Sequence, residues 1–239
     1  MPVWRNEVGG LTFRVGSGHH LKWAPDGVGL DLPGEAERMV WAAGRTPVPR
    51  VVAHGNAGDG RWTGTWLVTE TLPGESAVAP RWIADPARAV EALGAGLRAL
   101  HDSLDVADCP FAWSVRDRVA NARDRADAGD GPESWFPEHR TIPLADALAR
   151  LADAPEPDLV VCHGDACAPN TLLSDDGAWA GHVDLGSLGV ADRWADVAVA
   201  AWSTEWNYGP GWDGALYEAY GVDPDAEKIA YYRLLWDLS

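Results

Sequence analysis

The stretch "VVCHGDACAPNTLL", residues 160–173, decides how this chain is read. Leu159, Val160, Val161 and Cys162 form a short apolar run of the kind that makes a buried strand. The run then breaks and presents His163, Gly164 and Asp165. Asn170 follows, and the apolar pattern resumes at Leu172 and Leu173. A second apolar segment, "AGHVDLG" (180–186), reaches Asp184. If the segment after Asn170 turns back on itself and this is the return strand, Asp165, Asn170 and Asp184 meet at one end of neighbouring strands. Three oxygen-bearing side chains in one place suit a hard cation such as Mg²⁺, which takes one or two carboxylates and leaves positions for water and phosphate oxygens. One Asp could hold the metal while the other accepts the proton of an attacking hydroxyl. An Asp after a strand is by itself usually a turn or cap residue. The register of Asn170 and Asp184 behind it is what gives Asp165 a chemical reading.

Working outward, the first 70 or so residues alternate in short segments. "LTFRV" (11–15) and "HHLKW" (19–23) flank Gly16-Ser17-Gly18 and read as a hairpin. "EAERMVWAAG" (35–44) has helical spacing with Gly44 as its stop. "RVVAH" (50–54) and "TWLVTE" (65–70) read as two further strands. Past "TLPGES" (71–76) alanine-rich helical patterns take over, at roughly 86–102, 114–128 and 143–152. Three more helices are expected at about 190–206, 212–220 and 224–237. The expected fold is α+β and bilobal. A small β-rich lobe over 1–71 is followed by a larger, mainly helical lobe over 72–239, with a cleft between them as the natural ligand site.

Composition bounds the function. Lys plus Arg is 19 against 36 for Asp plus Glu, a net charge of −17. Such a field repels nucleic acid, whose affinity comes from basic residues, and attracts small cations. No run approaches the ~20 apolar residues of a membrane span. The start "MPVWRNEVGG" lacks the features of a signal peptide, so a cytoplasmic location is expected. Cys109, Cys162 and Cys167 read as reduced thiols without a metal-type pairing. The 14 tryptophans are scattered, and none is assigned to a substrate.

Protein kinases carry His-Arg-Asp, four residues, Asn, and later Asp-Phe-Gly. Here the chain has His163-Gly164-Asp165, four residues, Asn170, and later Asp184-Leu185-Gly186. Glycine in place of arginine is the form of small-molecule kinases. Together with "HVDLGSLGVADRWADVAVA" (182–200) and "YRLLWDLS" at the C-terminus, these residues resemble the aminoglycoside phosphotransferase family, nearest to its 3′-phosphotransferases. The resemblance implies Mg²⁺-dependent transfer of the γ-phosphoryl group of ATP, or GTP, to a hydroxyl of a polycationic antibiotic, conferring resistance. It implies Asp165 as catalytic base and Asn170 and Asp184 as metal ligands. Lys22 would contact the α- and β-phosphates, with Glu35 as its partner. Thr69 and Thr71 match hinge residues whose backbone contacts adenine. His163 is expected to brace the loop, and Asp192 and Asp196 to cap and brace the helix that follows.

The chain departs from the family at several points. No G-x-G-x-x-G loop is present, and "NEVGGLTF" (6–13) would cover the phosphates. Ser187 stands where many relatives have arginine, and Trp236-Asp237 stands where relatives carry two acids that contact amines of the drug. Candidates for the amine contacts are Asp165, Asp237, the Ser239 carboxylate, Glu138 and Glu133. The alternatives are a kinase of another small hydroxyl metabolite, such as a sugar or amino alcohol, and a nucleotide-binding pseudokinase. A monomer or weak dimer is expected.

Overall fold

The computed structural model describes residues 2–5, 9–58 and 62–239. Strands β1 (Pro2–Arg5), β2 (Leu11–Val15) and β3 (His19–Pro25) are followed by helix α1 (Leu32–Ala42) and strands β4 (Val51–Gly58) and β5 (Thr63–Glu70). The five strands form one antiparallel sheet in the order β1-β2-β3-β5-β4. In the β2–β3 hairpin, Thr12 faces Lys22, and Lys22 faces Leu67 on the other side, so this lysine sits mid-sheet. Helix α1 begins at Leu32, earlier than the expected Glu35. The Asp31 carboxylate accepts the Gly34 N–H at 2.9 Å, and Pro33 has no N–H to satisfy in the first turn. Leu32, Ala36 and Met39 bury one face of the helix.

The rest of the chain is mainly helical, as expected. It contains β6 (Glu75–Ser76), α2 (Pro80–Ile83), α3 (Pro86–Ser103), α4 (Val115–Asp127), α5 (Leu144–Leu151), β7 (Leu159–Cys162), β8 (Thr171–Leu173), β9 (Trp179–His182), β10 (Gly189–Asp192), α6 (Trp194–Tyr208), α7 (Asp213–Tyr220) and α8 (Ala226–Leu238). Helix α6 is buried continuously from Trp194 to Thr204. A helix buried on every side belongs at the centre of a core, and α3, α7 and α8 pack around it. No described helix is long and apolar enough to cross a membrane.

The sequence reading of a helix over 190–206 needs correction. Gly189–Asp192 is strand β10, antiparallel to β7 with Gly189 opposite Cys162, and the helix begins at Trp194. The Asp192 carboxylate accepts the Trp194 N–H at 2.7 Å and so closes the strand and opens the helix. Strand β7 ends at Cys162, short of Asp165, and residues 163–170 are loop and a single 3-10 turn.

Candidate active site

The loop after β7 is held from below by α6. Asp196, with no exposed surface, accepts the His163 N–H at 2.5 Å and the Gly164 N–H at 2.9 Å, and meets His101 Nε2 at 3.0 Å. Burial alone would raise this carboxyl's pKa; the His101 hydrogen bond, the nearby imidazoles and the Gly164 N–H outweigh it and hold the value below the usual one. Gly164 has a φ of +88°, and a Cβ there would lie 2.3 Å from the Ser187 carbonyl oxygen. That close approach is why glycine fills the middle of the triplet. His163 is fully buried, accepts the Asp165 N–H on Nδ1 at 3.2 Å and donates from Nε2 to the Val183 carbonyl at 2.9 Å. It ties the loop to the segment that ends in Asp184, the bracing role expected for it. Asp192 likewise braces, accepting the Asp158 N–H at 2.9 Å and Lys228 Nζ at 2.6 Å.

Asn170 Nδ2 donates to both the backbone oxygen and Oδ2 of Asp165, each at 2.9 Å. A carbonyl oxygen can only accept, so the amide's orientation is fixed and Oδ1 of Asn170 remains as an oxygen donor. The Asn170 carbonyl accepts the Val183 N–H at 2.9 Å, and Thr171 pairs with His182 at the adjoining end of the β8–β9 ladder. The loop and the Asp184 segment are thereby joined at one strand end. Asp184 is the only described non-glycine residue with positive φ, at 66°. Left-handed backbone costs about 1–2 kcal/mol outside glycine and gathers at functional positions.

Lys22 Nζ lies 2.6 Å from Glu35 Oε1 and 2.8 Å from Asp184 Oδ1, so one ammonium bridges the N-terminal sheet, α1 and the loop after β9. Burial by itself would lower the Lys22 pKa; the two carboxylates outweigh it and hold the value above the ordinary one. Burial pushes the Glu35 carboxyl up, against the pull of Lys22. Arg38, one helical turn past Glu35, donates to the Leu188 carbonyl at 3.0 Å and fixes α1 to the C-terminal part. The set fits Mg²⁺ by donor chemistry: the free amide oxygen of Asn170 and the half-exposed Asp184 carboxylate are hard oxygen ligands.

Thr69 is buried in β5 opposite His20. Thr71 donates its backbone N–H to the Gly18 carbonyl at 2.9 Å, and its hydroxyl lies 3.2 Å from His20 Nδ1. The Thr71 N–H is thus engaged within the sheet. Of the stretch 6–13 expected to cover phosphates, residues 6–8 lie outside the described residues.

A cavity of about 490 Å³ opens beside Asp165 and Ser187. Asp237 and Ser239 reach it, and Glu133 and Glu138 are not among its lining residues. Glu138 accepts the Trp202 Nε1–H at 3.2 Å. Asp237 is buried, and its Oδ2 accepts the Phe136 N–H at 2.9 Å and contacts His139 Nδ1 at 2.7 Å. The Ser239 backbone oxygen accepts Arg125 Nη1–H at 3.0 Å, and its hydroxyl accepts Arg118 Nε–H at 3.2 Å. Sequence reasoning missed both arginines on this cavity, Arg118 and Arg125 on α4. Arg118 lies 3.7 Å over the Trp113 ring, and burial lowers its pKa to about 10.

A lysine held between a helix glutamate and a loop aspartate, together with an Asp–Asn pair on the adjoining loop, defines a kinase-type phosphotransferase. The chain belongs to the phosphotransferase enzyme family, whose model matches residues 8–232. It is 42% identical over 225 residues to an aminoglycoside 3′-phosphotransferase of Streptomyces fradiae, covering 89% of this chain and 81% of the relative. It is 36% identical over 250 residues to a streptomycin 3″-kinase of Streptomyces griseus, covering 97% and 89%. Among solved structures, aminoglycoside phosphotransferase APH(3″)-Id from Streptomyces rimosus, in complex with ADP and streptomycin, superposes with a TM-score of 0.77 at 30% identity, over 95% of this chain and 90% of that one.

Proposed function

We propose that this chain transfers the γ-phosphoryl group of ATP, or GTP, to a hydroxyl of an aminoglycoside antibiotic and so confers resistance to it. The 3′-hydroxyl is favoured by the 42% identity to a 3′-phosphotransferase. Residues 1–71 would hold the nucleotide, and 72–239 the catalytic loop and the acceptor, in the cytoplasm. One observation carries the reading: Lys22 bridges Glu35 and Asp184 while Asp165 stands paired with Asn170 at the mouth of a cavity large enough for a sugar ring.

The residues divide the work. Lys22 is kept charged and offered to the α- and β-phosphates, with Glu35 limiting the wander of its flexible stem. Asn170 and Asp184 would hold Mg²⁺, which supplies positive charge against the triphosphate. Asp165, steadied through Oδ2 by Asn170, orients the acceptor hydroxyl and takes its proton. The Asp196 brace and the Gly164 turn keep that carboxylate in place before the acceptor arrives, which is where positional catalysis has its effect.

The test follows ADP release from Mg-ATP with kanamycin, neomycin, streptomycin and hygromycin, with the phosphorylated position assigned by NMR. Turnover with one of them, abolished in Asp165→Ala, is the expected result. A second reading, a kinase of another small hydroxyl metabolite, is favoured by Arg118 and Arg125 on the acceptor cavity, where a polycation gains nothing from them. ADP release with a sugar or amino alcohol and with none of the four drugs would establish it instead.

A further inference from the structure

The acceptor cavity is not an acidic trap. Its charged lining side chains are Asp165 and Asp237 against Arg118 and Arg125, so the −17 charge of the chain is not concentrated there. Asp237 is moreover engaged by the Phe136 N–H and His139. What the wall offers is aromatic surface. Phe136 and Trp236 both line the cavity that holds Asp165. Behind them Phe136 stacks on Trp206, with centroids 4.7 Å apart and planes 20° apart, and lies 4.6 Å from Trp202. Trp206 is 5.5 Å from Trp236 and 4.9 Å from Trp202. Trp202 is 1% exposed and explains itself as core, whereas Trp206 is 38% exposed and Trp236 is half-buried on the cavity.

We infer that Phe136 and Trp236, braced by Trp202 and Trp206, form the plate on which the acceptor's ring stacks, and that this plate sets acceptor specificity. The inference rests on the phosphotransferase reading above. The matching chemistry is a saturated six-membered ring, a pyranose or aminocyclitol. Its axial C–H bonds carry partial positive charge and meet the negative π face, and an ammonium held over that face gains a cation–π contact. The interlocked rings lose little conformational freedom when a ligand arrives. The Asp237 contacts to Phe136 N–H and His139 pin the plate's loop to α8, next to Trp236. Phe136 and Trp236 are thus specificity-determining residues, distinct from the phosphate-handling set.

The experiment compares wild type, Trp236→Ala, Trp236→Phe and Phe136→Ala in steady-state kinetics with Mg-ATP and the acceptor that the wild type turns over, alongside melting curves. Trp236→Ala is expected to raise the acceptor KM about tenfold while leaving the ATP KM and Tm near wild type. Trp236→Phe should stay within about threefold. An unchanged acceptor KM in Trp236→Ala, or a joint rise of both KM values with a fallen Tm, would overturn the plate while leaving the phosphotransferase reading intact. If the wild type turns over no aminoglycoside, the choice of an aminoglycoside as acceptor fails separately. The plate is then decided by indole N–H resonances during titration with streptomycin, kanamycin and methyl glucoside. Shifts at Trp206 and Trp236 in the wild type, absent at Trp206 in Trp236→Ala, support it; no shift in the wild type overturns it.

Discussion

The two halves of the site differ in how they are built. The proposed phosphate half uses few residues: Lys22 bonds Glu35 at 2.6 Å and Asp184 at 2.8 Å, and Asn170 bonds Asp165 at 2.9 Å. The acceptor half is a cavity of mixed character in which the carboxylate expected to bind amines is engaged in holding a loop. A triphosphate presents the same charges to every kinase and demands the same groups in return. An acceptor presents whatever shape and charge it has, and its pocket varies accordingly. The contrast teaches that the reaction and the substrate are read from different kinds of evidence, the first from spacing and the second from three-dimensional lining.

The contrast breaks most sharply if the phosphate half proves dispensable. Asp165→Ala and Asp184→Ala are each expected to lower kcat about 10³-fold or more with Tm little changed. Activity within tenfold of wild type in either variant would remove that residue from the chemistry. Next in size is the brace. Asp196→Ala leaves two loop N–H groups and His101 without their buried partner and should cost about 3 kcal/mol of stability, measured by denaturant unfolding. The pH dependence has a definite sign. The Asp196 pKa is lowered in the folded state, so its contribution is present above the unfolded value of about 3.8 and is lost as pH falls through the folded value. Asp196→Asn should therefore flatten the loss of stability below that pH, and an equally steep acid limb would contradict the brace. Smaller again, Lys22→Met should raise the ATP KM about tenfold while leaving the acceptor KM within twofold, since it removes one charge-assisted contact. A change confined to the acceptor KM would mean the halves are assigned the wrong way round. Comparable in free energy, Gly164→Ala forces the Ser187 carbonyl to move and demands left-handed backbone from alanine, at about 1–3 kcal/mol.

Much of the phosphate half was legible because it is local. Asp165 and Asn170 share one loop, and Asp184 follows after a short hairpin, so a fixed spacing in sequence becomes a fixed geometry at one strand end. Lys22 and Glu35 are joined across one strand-to-helix connection. The strand Gly189–Asp192 was misread as helix because its pairing partner, Leu159–Cys162, is distant in sequence and local propensity does not report it. The aromatic plate escaped notice for the same reason. Phe136 lies on a loop, Trp202 and Trp206 on α6 and Trp236 on α8, and nothing in a scatter of tryptophans says which of them converge.

The sequence by itself determined the α+β kinase-like class and the excess of negative charge, and named candidates for the phosphate-handling side chains, because short-range spacing and composition survive in one dimension. Only the tertiary structure decided that Asp237 holds a loop and that two arginines and two aromatic rings line the cavity beside Asp165. Those outcomes depend on packing between segments about 100 to 120 residues apart, where burial and hydrogen-bond satisfaction choose among partners that the linear order leaves equal.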